Sequence, residues 1–155
     1  MSKRFTREFK HGFTLIELLV VIAIIGILSS VVLASLNTAR GKGADAAVKS
    51  NLNNMRSQAE LYYDNNNNSY GTFAINTCPT VVTAGSMLND PTIIKAIDSA
   101  LASGGNGTRC VVAPTAYAIS VGLKTAGQSW CIDSTGKSKQ YAGTVTAAIT
   151  GNTCT

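Results

Sequence analysis

The sequence predicts an α+β fold in which a long N-terminal helix packs on a small antiparallel sheet. Three observations support it: an apolar run over residues 13–36, a helical stripe of apolar residues that continues to residue 63, and short strand-like segments further on. A chain of 155 residues has room for one small domain beyond the helix. We expect four segments: a basic leader (1–12), a transmembrane helix (13–36), an amphipathic helix (37–63) and a globular head with a short helix and the sheet (64–155).

The apolar run is long enough to cross a membrane. Its 24 residues include one charged side chain, Glu17. As a helix they extend over about 36 Å, against about 30 Å for a hydrocarbon core. The leader has a net charge of +3, which favours a cytoplasmic N-terminus and an exported remainder. Hydropathy alone leaves a secretory signal peptide or a simple anchor open, but an unpartnered Glu17 inside the core costs about 2.5–3.5 kcal/mol.

The residues around Glu17 resemble a known signal. The sequence Gly-Phe-Thr-Leu-Ile-Glu at residues 12–17 is similar to the type III signal of type IV prepilins and type II secretion pseudopilins. The resemblance implies that a membrane aspartyl peptidase cuts between Gly12 and Phe13 and then N-methylates Phe13. It also implies that Glu17 pairs with the Phe13 amine of a neighbouring subunit and so sets the registry between subunits. Such a matched pair is tolerable in low dielectric, whereas each lone charge is unfavourable.

The apolar helix continues as an amphipathic one. We expect its apolar stripe to pack on the sheet, while Lys49, Asn53, Arg56 and Glu60 face solvent. A polar turn cluster over residues 64–71 ends the helix. Many pilins carry a proline near position 34, and Ala34 at that place favours a continuous stem. The stripe recurs at steps of three and four, the period of a helix face: Ala44, Val48, Leu52, Met55, Ala59 and Tyr62.

The second half of the chain predicts one short helix and a sheet. Asp90 is suited to an N-cap and Pro91 to the first helical position, and an apolar helical face then runs to Leu101. Gly104 and Gly105 end this helix. Apolar and alternating segments bounded by turn residues predict three strands: 116–123, 129–133 and 138–141.

Four cysteines, Cys78, Cys110, Cys131 and Cys154, all lie in the half that we expect to be exported. The chain has no C-x-x-C pair and its one histidine lies in the leader, so we expect disulfides and no structural metal. Three pairings are open. We favour Cys78–Cys110, which closes over the short helix, and Cys131–Cys154, which ties the C-terminal tail to the sheet. Each loop contributes about 3 kcal/mol in the chain-entropy account.

The sequence argues against an enzyme and against a nucleic-acid partner. No histidine stands outside the leader, and the acidic residues are scattered without a motif, so we assign no catalytic residue and no cofactor. We expect residues 134–137, which follow Asp133, to form a turn. The segment lacks the spaced carboxylates of a calcium loop. The head carries a mild positive charge without a run of basic residues, which gives little support for DNA binding.

The resemblance implies a structural subunit of a type IV pilus. Its partners would be further copies of itself in a helical filament, the prepilin peptidase and methylase, and the assembly platform with its ATPase. The chain would be a single-pass protein of the cytoplasmic membrane before assembly and part of an extracellular pilus afterwards. Two alternatives remain open: a pseudopilin of a type II secretion system, and a minor or competence pilin that binds DNA or a surface.

Overall fold

The computed structural model describes residues 12–155. Its long helix, α1, runs from Leu15 to Asn65 without a break, as the apolar run and the amphipathic stripe predicted together. The chain forms two compact units, one up to Thr38 and one from Ala39 onward. The first contains the stem, by which we mean residues 13–38, and the second is the head. The leader expected at residues 1–12 falls, apart from Gly12, outside the described residues.

The stem makes no core of its own. Every large apolar side chain from Phe13 to Leu36 is exposed, and Phe13 is 91% exposed. Within residues 12–155, α1 is the one helix that is long and apolar enough to cross a membrane. The isolated chain therefore leaves this surface uncovered, and lipid or another protein chain has to cover it.

The head contains a five-stranded antiparallel sheet whose spatial order follows the chain order. The three strands predicted from the sequence are present with ends shifted by one residue at most: β3, β4 and β5. Two further strands, β1 and β2, precede them, and a small hairpin, β6–β7, follows. The strands are β1 (Phe73–Asn76), β2 (Thr108–Ala113), β3 (Ala116–Gly122), β4 (Gln128–Asp133), β5 (Ser138–Ala142), β6 (Ile149–Thr150) and β7 (Thr153–Cys154).

One face of the sheet packs against α1. The predicted stripe supplies Val48, Leu52, Met55 and Ala59, all of which are buried in a single cluster with strand β3. Burying each larger side chain of this kind contributes about 1.5–3 kcal/mol. A second helix, α2 (Pro91–Ala102), adds its apolar face to the same cluster. Its N-cap is Asp90, whose carboxylate accepts from the Thr92 amide at 2.7 Å, as the sequence predicted.

Two basic residues that we expected to face solvent lie against the edge of the sheet. The ammonium of Lys49 donates to the Gln140 amide oxygen at 2.7 Å and lies 5.0 Å from the centre of the Trp130 ring. The guanidinium of Arg56 donates to the Lys137 carbonyl oxygen at 2.6 Å. The prediction was wrong for these side chains because long basic stems lie along apolar surface while their charged ends reach polar groups.

The other face of the sheet is covered by the C-terminal hairpin. A second buried cluster there joins Val111, Ala118 and Cys131 to Ile149 and Cys154. The disulfides are Cys78–Cys110 and Cys131–Cys154, which confirms the favoured pairing. The first ties the segment after β1 to β2, and the second ties β4 to the hairpin.

A buried carboxylate, Asp133, fixes both the hairpin and the β4–β5 turn. Its side chain accepts from the Thr135 amide at 2.9 Å, the Lys137 amide at 3.2 Å and the Cys154 amide at 2.9 Å. Burial opposes ionisation, but these donors and the Thr135 hydroxyl together lower the pKa of Asp133. One oxygen of Asp133 thus serves the turn predicted at residues 134–137, and the other serves the hairpin.

A second carboxylate anchors α1 to the sheet. Asp45 is 8% exposed and accepts from the Lys124 amide at 2.6 Å and the Thr125 amide at 3.3 Å, both in the β3–β4 loop. The sequence placed Asp45 among the scattered acids and gave it no role. Its position three residues before Val48, on the apolar face, was the available signal.

Candidate processing and assembly site

The start of α1 is an N-terminal cap built by two residues of the expected signal. The Glu17 carboxylate accepts from the Thr14 amide and from the Thr14 hydroxyl, both at 2.8 Å. In return the Glu17 amide donates to the Thr14 hydroxyl at 3.2 Å. This reciprocal pattern is a capping box, which satisfies amide groups that a helix start otherwise leaves without partners.

The sequence contains the pattern of a capping box, and our sequence-based prediction did not include it. Threonine at 14 and glutamate three positions later, before an apolar run, is its known pattern. The structure therefore adds a local role for Glu17 to the expected registry role. Both donors from Thr14 reach one oxygen, Oε2. The other oxygen, Oε1, receives no donor from Thr14, and a cation could bind there.

Phe13 lies before the helix. Because α1 begins at Leu15 and Thr14 caps it, Phe13 stands at the last position outside the cap, and its side chain is exposed. The bond expected to be cut, between Gly12 and Phe13, thus lies in non-helical chain that is described from Gly12 onward. A non-helical segment of this kind can enter a protease cleft, whereas backbone inside a helix is less accessible to cleavage.

The part of the chain that the structure describes contains no cluster of three or more histidine, cysteine, aspartate or glutamate side chains that could hold a metal ion. All four cysteines are consumed in disulfides.

Comparisons with known proteins give two findings. Residues 9–33 match a family described as the prokaryotic N-terminal methylation motif. The chain is also similar to the type IV wide pilus major component PilA4 of Thermus thermophilus, with 48% identity over 56 residues. That match covers 36% of this chain and 43% of the relative, so the chain spans less than half of the relative's length. No solved structure matches the chain.

The matched motif contains Gly12, Phe13, Thr14 and Glu17. It therefore includes the expected cleavage position, the residue expected to be methylated, and both members of the cap. The methylation motif is thus found at the start of this chain, and the similarity to a pilin covers about a third of it.

Proposed function

We propose that this chain is the structural subunit of a type IV pilus filament. It is inserted into the cytoplasmic membrane as a prepilin, cut between Gly12 and Phe13, N-methylated at Phe13, and polymerised through its stem. The observation that carries the proposal is the stem, whose large apolar side chains are all exposed and whose helix is capped by Thr14 and Glu17. A stem with an exposed apolar surface fits a subunit whose partner is first lipid and then other stems.

The proposal assigns Glu17 a second partner. Cleavage creates a cationic amine on Phe13, and in a filament the amine of one copy would meet the Glu17 of another. The cap leaves Oε1 for that contact. Because a buried ion pair is tolerable only when its members meet with good geometry, this pair would select one stagger between neighbouring stems.

The proposed processing and assembly of the chain also require other proteins as partners. A prepilin peptidase would cut and methylate the chain, and an assembly platform with an ATPase would extract it from the bilayer into an extracellular fibre. The Thermus relative is described as a major component of a wide pilus, which supports a major subunit over a pseudopilin or a minor pilin. In this role the chain has no catalytic activity of its own.

Mass spectrometry of filaments sheared from the host cells tests the proposal. We expect this chain to be abundant in the filaments, to lack residues 1–12, and to carry one methyl group on Phe13. A Gly12→Ala variant is the control, and we expect it to stay in the membrane with the leader attached. A mature chain that is missing from sheared filaments and found only in short periplasmic assemblies would favour the pseudopilin instead.

A further inference from the structure

The connection between α2 and β2 contains an asparagine that is followed directly by glycine, Asn106-Gly107. Both residues are exposed. Asparagine is a thermolabile residue, because the backbone nitrogen of the next residue can attack its side-chain carbonyl carbon. Glycine in the next position favours this attack, since it has no side chain in the way and reaches backbone conformations closed to other residues. The pair can therefore undergo a chemical modification that needs no enzyme.

The structure leaves the attacking atom accessible. The Asn106 amide donates to the Gly122 carbonyl oxygen at 3.0 Å, and the Gly122 amide donates to the Gly107 carbonyl oxygen at 3.0 Å. The Gly107 amide, which is the nucleophile, makes no backbone hydrogen bond within residues 12–155. A Cβ atom at Gly107 would meet only a Val145 methyl group at 3.8 Å. The space around the reacting atoms is therefore open.

Other exposed asparagines of the head differ in the residue that follows. Asn67 and Asn68 also lie in an exposed loop, and both have a positive φ, 56° and 55°. They are followed by asparagine and serine, whose side chains hinder the attack. Gly107 has a φ of +82°, a conformation that favours glycine. The backbone that leads into β2 thus requires the residue that makes Asn106 reactive.

We propose that Asn106 is a site of spontaneous deamidation. The Gly107 amide nitrogen attacks Cγ of Asn106, a C–N bond forms, and the side-chain nitrogen leaves as ammonia with the amide proton. Water then opens the cyclic imide at either of its carbonyl carbons. One opening gives aspartate, and the other gives isoaspartate, in which the backbone runs through the former side chain. The inference does not depend on the proposed filament function.

The two products differ in their effect on the head. Isoaspartate adds one backbone atom between the two hydrogen bonds that Asn106 and Gly107 share with Gly122. A Cβ atom at Gly122 would already collide with the Asn106 carbonyl group, so the sheet has no room for a longer backbone here. Aspartate keeps the backbone length and places its carboxylate in the surface cleft that Asn106 lines together with Lys124. We therefore expect isoaspartate to destabilise the head and aspartate to leave it stable.

Peptide mapping by mass spectrometry tests the proposal. The full chain in detergent is incubated at neutral and at mildly alkaline pH and is then digested at acidic pH, which stops the reaction. We expect the peptide that contains Asn106 to convert to the acid forms several times faster than the peptide that contains Asn67 and Asn68. The rate should rise with pH, since the attacking nitrogen must lose its proton. Conversion of Asn106 that is no faster than that of Asn68 would overturn the inference.

The matched control variant is Asn106→Gln. Its longer side chain would have to form a larger ring, so we expect no conversion at this position, and the exposed site tolerates the extra methylene. Gly107→Ala should slow conversion as well, but its positive φ strains alanine, so Asn106→Gln decides the test. After incubation, the melting temperature of the wild type should fall while that of Asn106→Gln stays constant. Equal falls in both chains would contradict the effect inferred for isoaspartate at residue 106.

Discussion

At the scale of single residues, the cap that Glu17 makes and the pairing proposed for it can be separated. Its carboxylate caps α1 through Thr14, and in the proposed filament it also faces the amine of Phe13 from another copy. Capping needs an acceptor oxygen at position 17, whereas the pairing needs a negative charge. A carboxamide keeps the first and removes the second.

We therefore expect Glu17→Gln to lower incorporation into filaments steeply and Thr14→Ala to lower it little. The alanine removes the cap, which is worth about 1 kcal/mol at a helix start, but it leaves the charge in place. Immunoblots of sheared filaments against the membrane fraction measure incorporation. Equal losses in both variants would indicate that Glu17 serves the cap alone.

Gly122 is the glycine with the tightest surroundings in the β3–β4 part of the sheet. A Cβ atom at this position would collide with the Asn106 carbonyl group, and backbone cannot move aside as a flexible side chain can. We expect Gly122→Ala to destabilise the head by about 3 kcal/mol, measured by denaturant unfolding.

Gly43→Ala is the matched control for that substitution. Its Cβ atom would meet nothing within 4 Å, and alanine is favoured over glycine by about 1 kcal/mol in a helix. We expect the isolated subunit to gain stability. A loss in this variant would contradict the structural account of both glycines.

At the scale of elements, Asp133 links the β4–β5 turn to the C-terminal hairpin. Its pKa is lowered in the folded head, so the stability that it contributes is present above the unfolded pKa of about 4 and is lost as the pH falls through the lower folded value. We expect Asp133→Asn to melt at a lower temperature than the wild type at pH 7. The difference should shrink below about pH 4, and melting curves over this range measure it. A difference that does not change with pH would mean that the charge of Asp133 is not what stabilises the turn.

The sequence predicted the elements with strong local signals and missed those that depend on their neighbours. α2 was found because Asp90, Pro91 and its apolar face mark a helix locally. β1 was missed because it has four residues and an irregular register with β2. β2 was missed because most of its residues are buried, so its sequence lacks the alternation of apolar and polar residues that marks a half-buried strand. For Asp45 the sequence offered a local signal, its position on the apolar face, but its partners could not be predicted, since they lie in the β3–β4 loop about 80 residues away in the chain.

At the scale of the whole molecule, the two units differ in what they need from their surroundings. The head has its own buried clusters and both disulfides, whereas all the large apolar side chains of the stem are exposed. We expect a chain that begins at Ala39 to be a folded monomer without detergent, while the full chain requires detergent. Size-exclusion chromatography with circular dichroism measures both. An aggregated or unfolded fragment would show that the head depends on the stem.

The exposed stem also bears on the direction of assembly. Lipid tails and neighbouring stems are similarly apolar, so a stem that moves from one to the other gains little from the exchange itself. The free energy of the stem in the membrane is then close to its free energy in the proposed filament. Net growth would be set by work done at the base of the fibre, and the bilayer would remain a place to which released subunits can return.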